Sequence, residues 1–137
     1  MAKKNGFTLV ELIVVLAIMA AISAIAVPNF ANIAEKSKLK TDIQSAKIID
    51  NAKDLYESES NDPLGNTADE IINNLYEKKY LKQKISPQTK EASWSLQNGI
   101  IKIKINTGIE SINKNYLSLS EDEKYYVETT TSTNTND

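Results

Sequence analysis

Apolar positions crowd into one stretch near the start of the chain and then thin into a periodic pattern. Phe7 to Val27 runs for 21 residues with Thr8, Glu11 and Ser23 as its polar members. As a helix that run is roughly 30 Å long, the thickness of a bilayer core. It is apolar on every face, unlike the one-sided helix of a soluble core. Pro28 and Asn29 follow at once. Beyond them Leu39, Ile43, Ala46, Ile49 and Tyr56 recur at helical spacing, flanked by Ile48, Ala52 and Leu55. Lys38, Asp42, Lys47, Asp54 and Glu57 fall on the other face. No Gly or Pro interrupts residues 29–60, so the pattern predicts one helix from Phe7 to about Ser60, bent at Pro28. Its first half is a candidate membrane helix, and its second half is the spine of a soluble head.

Asn61-Asp62-Pro63-Leu64-Gly65-Asn66 holds the breakers that end this helix. Thr67-Ala68-Asp69-Glu70 has the form of a capping box and predicts a short helix with Ile71, Ile72, Leu75 and Tyr76 on one side, stopping near Lys79. Ile85-Ser86-Pro87 reads as extended chain or turn. Asn98-Gly99 is the favoured two-residue hairpin turn; it pairs Gln97 with Ile100, Leu96 with Ile101, Ser95 with Lys102 and Trp94 with Ile103. Trp94, Leu96, Ile101 and Ile103 then share one face, and Ser93, Ser95, Lys102 and Lys104 the other. Tyr116–Leu119 and Tyr125–Val127 read as further strands, and Thr129–Asp137 as a disordered polar tail. The expected class is α+β: a long N-terminal helix, transmembrane and then amphipathic, packed on a small antiparallel β-sheet head. The expected segments are 1–6, a short basic leader; 7–28, the apolar helix; 29–60, the spine; 61–128, the head; and 129–137, the tail.

Composition removes several chemistries. The 137 residues contain no cysteine and no histidine. A disulfide framework, a Cys/His zinc site and a Ser-His-Asp site are therefore excluded. All 16 basic residues are lysines, so no guanidinium fork is present to read guanine edges, which argues against specific nucleic-acid recognition. Asp42, Asp50, Asp54 and Glu57 are interleaved with lysines and read as a solvated face. Glu121-Asp122-Glu123 offers oxygen ligands without a calcium-loop spacing. Lys78, Lys79, Lys82, Lys84 and Lys90 form a positive stretch with no acid between them. No cofactor and no metal site is expected, and no acid–base constellation of an enzyme stands out.

The odd residue is Glu11, an ionisable group inside the apolar run. A carboxylate in hydrocarbon costs several kcal/mol unless neutralised or paired, so it is a functional candidate. Near a helix start it has a second reading, as a residue that snorkels or favours the helix dipole. With a soluble core helix set aside, the run itself keeps two readings by pattern alone: a secretory signal or a plain membrane anchor.

Gly6-Phe7-Thr8-Leu9-Val10-Glu11-Leu12-Ile13, behind the basic leader with Lys3 and Lys4 and ahead of Pro28, resembles the processing motif of type IV prepilins and type II secretion pseudopilins. The resemblance covers about residues 1–30. It implies that a prepilin peptidase cuts between Gly6 and Phe7 and methylates the new Phe7 amine, so that the apolar helix stays on the protein. It implies that Glu11 pairs with the Phe7 amine of a neighbouring subunit, two charges tolerable together where each alone is costly. It implies a pilus filament subunit, held in the cytoplasmic membrane and then polymerised onto the cell surface with identical or homologous subunits by an assembly platform and ATPase. A pseudopilin of a secretion or DNA-uptake system uses the same motif, and a membrane-anchored binding module that never polymerises is the alternative of another class. The helix departs from many pilins in having no Gly between its start and Pro28.

Overall fold

The apolar run and the amphipathic stretch after it form one helix, α1, Leu9–Glu59, with Pro28 inside it. The computed structural model describes residues 5–131, and the chain divides into two compact units, Met1–Ala34 and Glu35–Asp137. In the first unit every described residue is exposed. Ser23 Oγ donates to the Met19 carbonyl at 2.8 Å, and Asn29 Nδ2 donates to the Ile25 carbonyl at 3.1 Å, so both polar side chains are satisfied by their own helix. Pro28 brings no N–H, yet the helix continues through it.

The second unit builds a core on α1. Leu39, Ile43, Ala46, Ile49 and Tyr56 are buried, as their helical spacing predicts. After α1, Thr67 caps α2, Ala68–Glu77: Glu70 N–H donates to Thr67 Oγ1 at 3.3 Å, and Thr67 N–H donates back to Glu70 Oε2 at 3.3 Å. Gly65 makes that box possible. Its φ is +129°, and a Cβ there would lie 2.7 Å from Glu70 Cβ. Ile71, Ile72 and Leu75 of α2 join the core.

Strands β1, Ser93–Gln97, and β2, Ile100–Asn106, form the hairpin in the register read from the sequence, Gln97 opposite Ile100 through Trp94 opposite Ile103. Asn98 and Gly99 have φ of +54° and +77°, as a type I′ turn demands. Trp94, Ile101, Ile103 and Ile105 are buried. Trp94 Nε1 donates to the Ile85 carbonyl at 2.8 Å, so the indole is buried with its donor satisfied.

Beyond the hairpin the structure departs from expectation. The third strand, which completes the sheet in the order β1-β2-β3, pairs parallel to β2, with Ile103 opposite Val127 and Asn106 opposite Thr130. The sheet is mixed, not antiparallel. A parallel neighbour needs a long connection, and residues 107–126 supply it by forming two helices. Tyr116 and Leu117, expected in a strand, lie in the first of these, α3, Glu110–Leu117. Its Ile112 and Tyr116 are one turn apart and pack on the core. The second is the single turn α4, Glu121–Lys124. The expected strand Tyr125–Val127 begins only at Val127, and β3, Val127–Thr130, takes in Thr129 and Thr130 from the expected tail. Thr107 N–H donates to the Thr130 carbonyl at 2.9 Å, and Thr130 Oγ1 donates to the Ile105 carbonyl at 3.1 Å. The rest of the tail from Ser132, and the leader from Met1 to Lys4, lie outside the described residues.

The spine's polar face is also revised. Asp42 is 1% exposed, and its two oxygens accept the backbone N–H groups of Gln88 at 2.8 Å and Thr89 at 2.7 Å. Lys53 is buried beside Asp54 at 3.2 Å, Glu57 at 3.5 Å and Asp50 at 4.0 Å. Burial pushes the Asp50 carboxyl upward, against the opposing pull of the Ile101 N–H and Lys53.

Candidate functional site

The candidate site is the start of α1. Glu11 is the sole charged side chain between Asn5 and Ala34. Around it Phe7, Leu9, Val10, Leu12 and Ile13 are all more than half exposed, Phe7 to 87%. This segment is long and apolar enough to cross a membrane, with an 18-residue window of mean hydropathy 2.7. Among the described residues none buries this surface.

Thr8 stands just before the helix and Glu11 three residues on. Thr8 N–H donates to Glu11 Oε2 at 2.8 Å, Thr8 Oγ1 donates to the same oxygen at 3.0 Å, and Glu11 N–H donates to Thr8 Oγ1 at 3.2 Å. This is a second capping box, built like the one at Thr67 and Glu70. It satisfies donors that a helix start otherwise leaves open, which in an apolar medium matters more than in water. Sequence reasoning singled out Glu11 but not this role. The signal was available, because Thr8-Leu9-Val10-Glu11 has the same spacing as Thr67-Ala68-Asp69-Glu70.

Gly6 and Phe7 precede the helix, both exposed. A Cβ at Gly6 would meet nothing within 4 Å, and its φ is not in the left-handed region. The fold therefore places no demand for glycine at this position. Pro28 lies well inside α1 and touches none of these groups through the hydrogen bonds described. The structure thus brings Thr8 and Glu11 together and leaves Gly6 and Phe7 as an accessible junction in front of them.

The acidic triplet near the chain's end is occupied otherwise. Ser120 caps α4 through Glu123; the Ser120 N–H, followed by the Lys40 ammonium, holds the Glu123 carboxyl below its ordinary range. Glu121 pairs with Lys124 at 2.9 Å.

Residues 1–27 match the family model described as "Prokaryotic N-terminal methylation motif". "Prepilin peptidase-dependent protein A" of Clostridium perfringens (strain 13 / Type A) is 44% identical over 57 residues, which is 42% of this chain and 41% of that protein. The chain therefore spans less than half the length of the curated relative it matches. No solved structure matches. The motif and the apolar helix behind it fit a membrane-anchored protein of pilin or pseudopilin type.

Proposed function

We propose that this chain is a structural subunit of a type IV pilus, cut between Gly6 and Phe7 by a prepilin peptidase and methylated on the Phe7 amine. The observation that carries this reading is an exposed apolar segment holding a single carboxylate, Glu11, five residues behind a glycine, Gly6, that the fold does not need. Processing leaves the apolar helix on the protein and gives Phe7 a cationic amine. In a bundle of such helices the apolar faces leave water together, which drives polymerisation. The Glu11 carboxylate of one copy then meets the Phe7 amine of the next, and the pair fixes the axial register. In the single copy the Glu11 carboxylate is held by Thr8, so assembly exchanges or extends that box instead of releasing a free charge. The protein acts as a building block, with the chemistry and the energy supplied by the peptidase, an assembly platform and its ATPase. Before assembly it rests in the cytoplasmic membrane; afterwards it is part of a surface fibre.

Mass spectrometry of the mature N-terminus from native cells tests this directly. The expected species begins at N-methyl-Phe7. A chain that still begins at Met1, or one cut after Ala26, overturns the reading.

A further inference from the structure

The segment from Lys78 to Lys90 carries five of the chain's 16 lysines and none of its 18 acids. All five are exposed, and among the described residues none of them forms an ion pair, whereas Lys40, Lys53, Lys104 and Lys124 do. Isolated lysines on a surface are ordinary, but five in one short run without an ion pair concentrate positive charge in a chain of net charge -2, with Asp69 in a groove beside Lys84 and Glu59 bonded to Tyr80 as the acids that stand against them.

The fold stretches this run out along the head. At one end the Lys78 ammonium lies 5.2 Å from the Tyr56 ring on α1. At the other, Lys90 shares a groove with Lys38 and Leu39, also on α1. Leu39 and Tyr56 are 17 positions apart on one helix, so the two ends stand about 25 Å apart along it. Glu35 lines the same groove. Two of the five are fixed in direction: Lys78 by Tyr56, and Lys84 by the Tyr76 ring at 5.7 Å.

We propose that this lysine track binds the backbone of a linear phosphate polyanion, without reading any group attached to that backbone. Its length favours an extended chain of charges over a single anion. The chemistry for base recognition is missing from the track: it has no arginine, the Tyr56 and Tyr76 rings already have ammonium groups over them, Tyr80 is packed edge-on against Tyr56 with its hydroxyl donating to Glu59, and Trp94 is buried. Stacking and bidentate readout therefore contribute nothing, and charge neutralisation contributes everything. The track lies within Glu35–Asp137 and does not depend on the polymer reading of the N-terminus.

The test uses the full-length chain in detergent micelles and three probes: a DNA duplex, inorganic polyphosphate, and uncharged dextran as the blank. Binding to both phosphate polymers is expected, with no preference among duplex sequences and with log affinity falling against log salt with a slope of roughly -4 on the duplex. The variant carrying Lys79→Asn, Lys82→Gln and Lys90→Gln should bind the duplex about tenfold more weakly or worse at low salt, with the slope reduced by about 3. A control with Lys47→Gln and Lys114→Gln should bind close to the parent. Absence of binding to both phosphate polymers, a duplex sequence preference, binding of the duplex without polyphosphate, or equal loss in the control would each overturn the proposal.

Discussion

The two units treat apolar side chains in opposite ways. Between Leu9 and Ile33 they stand exposed on a bare helix, whereas between Leu39 and Val127 they close over one another until Ile43, Ala46, Ile49, Leu75, Ile101 and Ile103 have no exposure at all. The same helix, α1, supplies both behaviours. The difference lies in what the rest of the chain offers. Residues 35–59 have a hairpin and α2 to bury against; residues 9–33 have a surface that calls for lipid or other copies. One half of the chain thus completes its own core, and the other half, the stem, needs surroundings that the described residues do not supply.

The comparison can be broken first at the stem. Glu11→Gln retains an amide that can close the capping box with Thr8, yet removes the charge. Membrane insertion should persist while filament yield, counted by electron microscopy or sheared-fibre assay, falls at least about tenfold, since an unmatched buried charge costs several kcal/mol. Thr8→Ala makes the converse change. It removes the two bonds made by the Thr8 hydroxyl, keeps the backbone N–H of residue 8 on Glu11 and keeps the acid, and should lower yield less. Equal yields from Glu11→Gln and the parent would leave Glu11 as a helix cap alone.

At the head, Ile103→Ala should lower stability by roughly 2–5 kcal/mol in a urea titration of the full chain followed by Trp94 fluorescence, because Ile103 sits between Trp94 and Val127 in the central strand. It should leave membrane insertion unchanged. Asp42→Ala orphans the Gln88 and Thr89 N–H groups, costing roughly 1–3 kcal/mol in the same titration. It should also raise hydrogen exchange at those two amides more than elsewhere. The smallest effect is at Glu123. Its carboxyl is lowered in the folded chain, so its contribution is present above the unfolded value and is lost as pH falls through the folded one. Stability of Glu123→Gln should therefore change less than the parent's across that acidic window.

Much of this was legible from local pattern. The Asn98-Gly99 turn and the alternation on either side of it fix the hairpin register within a dozen residues, and helical spacing alone picks out Leu39, Ile43, Ala46 and Ile49. Long-range partners were not legible. Asp42 looks like any surface acid until a loop 46 residues away brings it two N–H groups. Tyr116 and Leu117 have strand-forming character, but the need to carry the chain across to a parallel third strand turns them into α3. Gly6 and Phe7 are singled out by motif alone, and the Thr8–Glu11 box is written in a spacing that an apolar helix start shares with the soluble one at Thr67–Glu70.

The parallel pairing of β3 sets where the chain leaves the sheet. β2 departs from the Asn98-Gly99 turn and ends at Asn106, and β3 runs beside it to Thr130 in the same direction. The hairpin tip and residue 131 thus stand at opposite poles of the sheet, roughly 23 Å apart at the rise of a seven-residue strand. Cysteines introduced at these two points, in a chain that has none of its own, would accept a donor and an acceptor dye. Energy transfer between them would then report whether the head keeps its dimensions in detergent and in a bilayer.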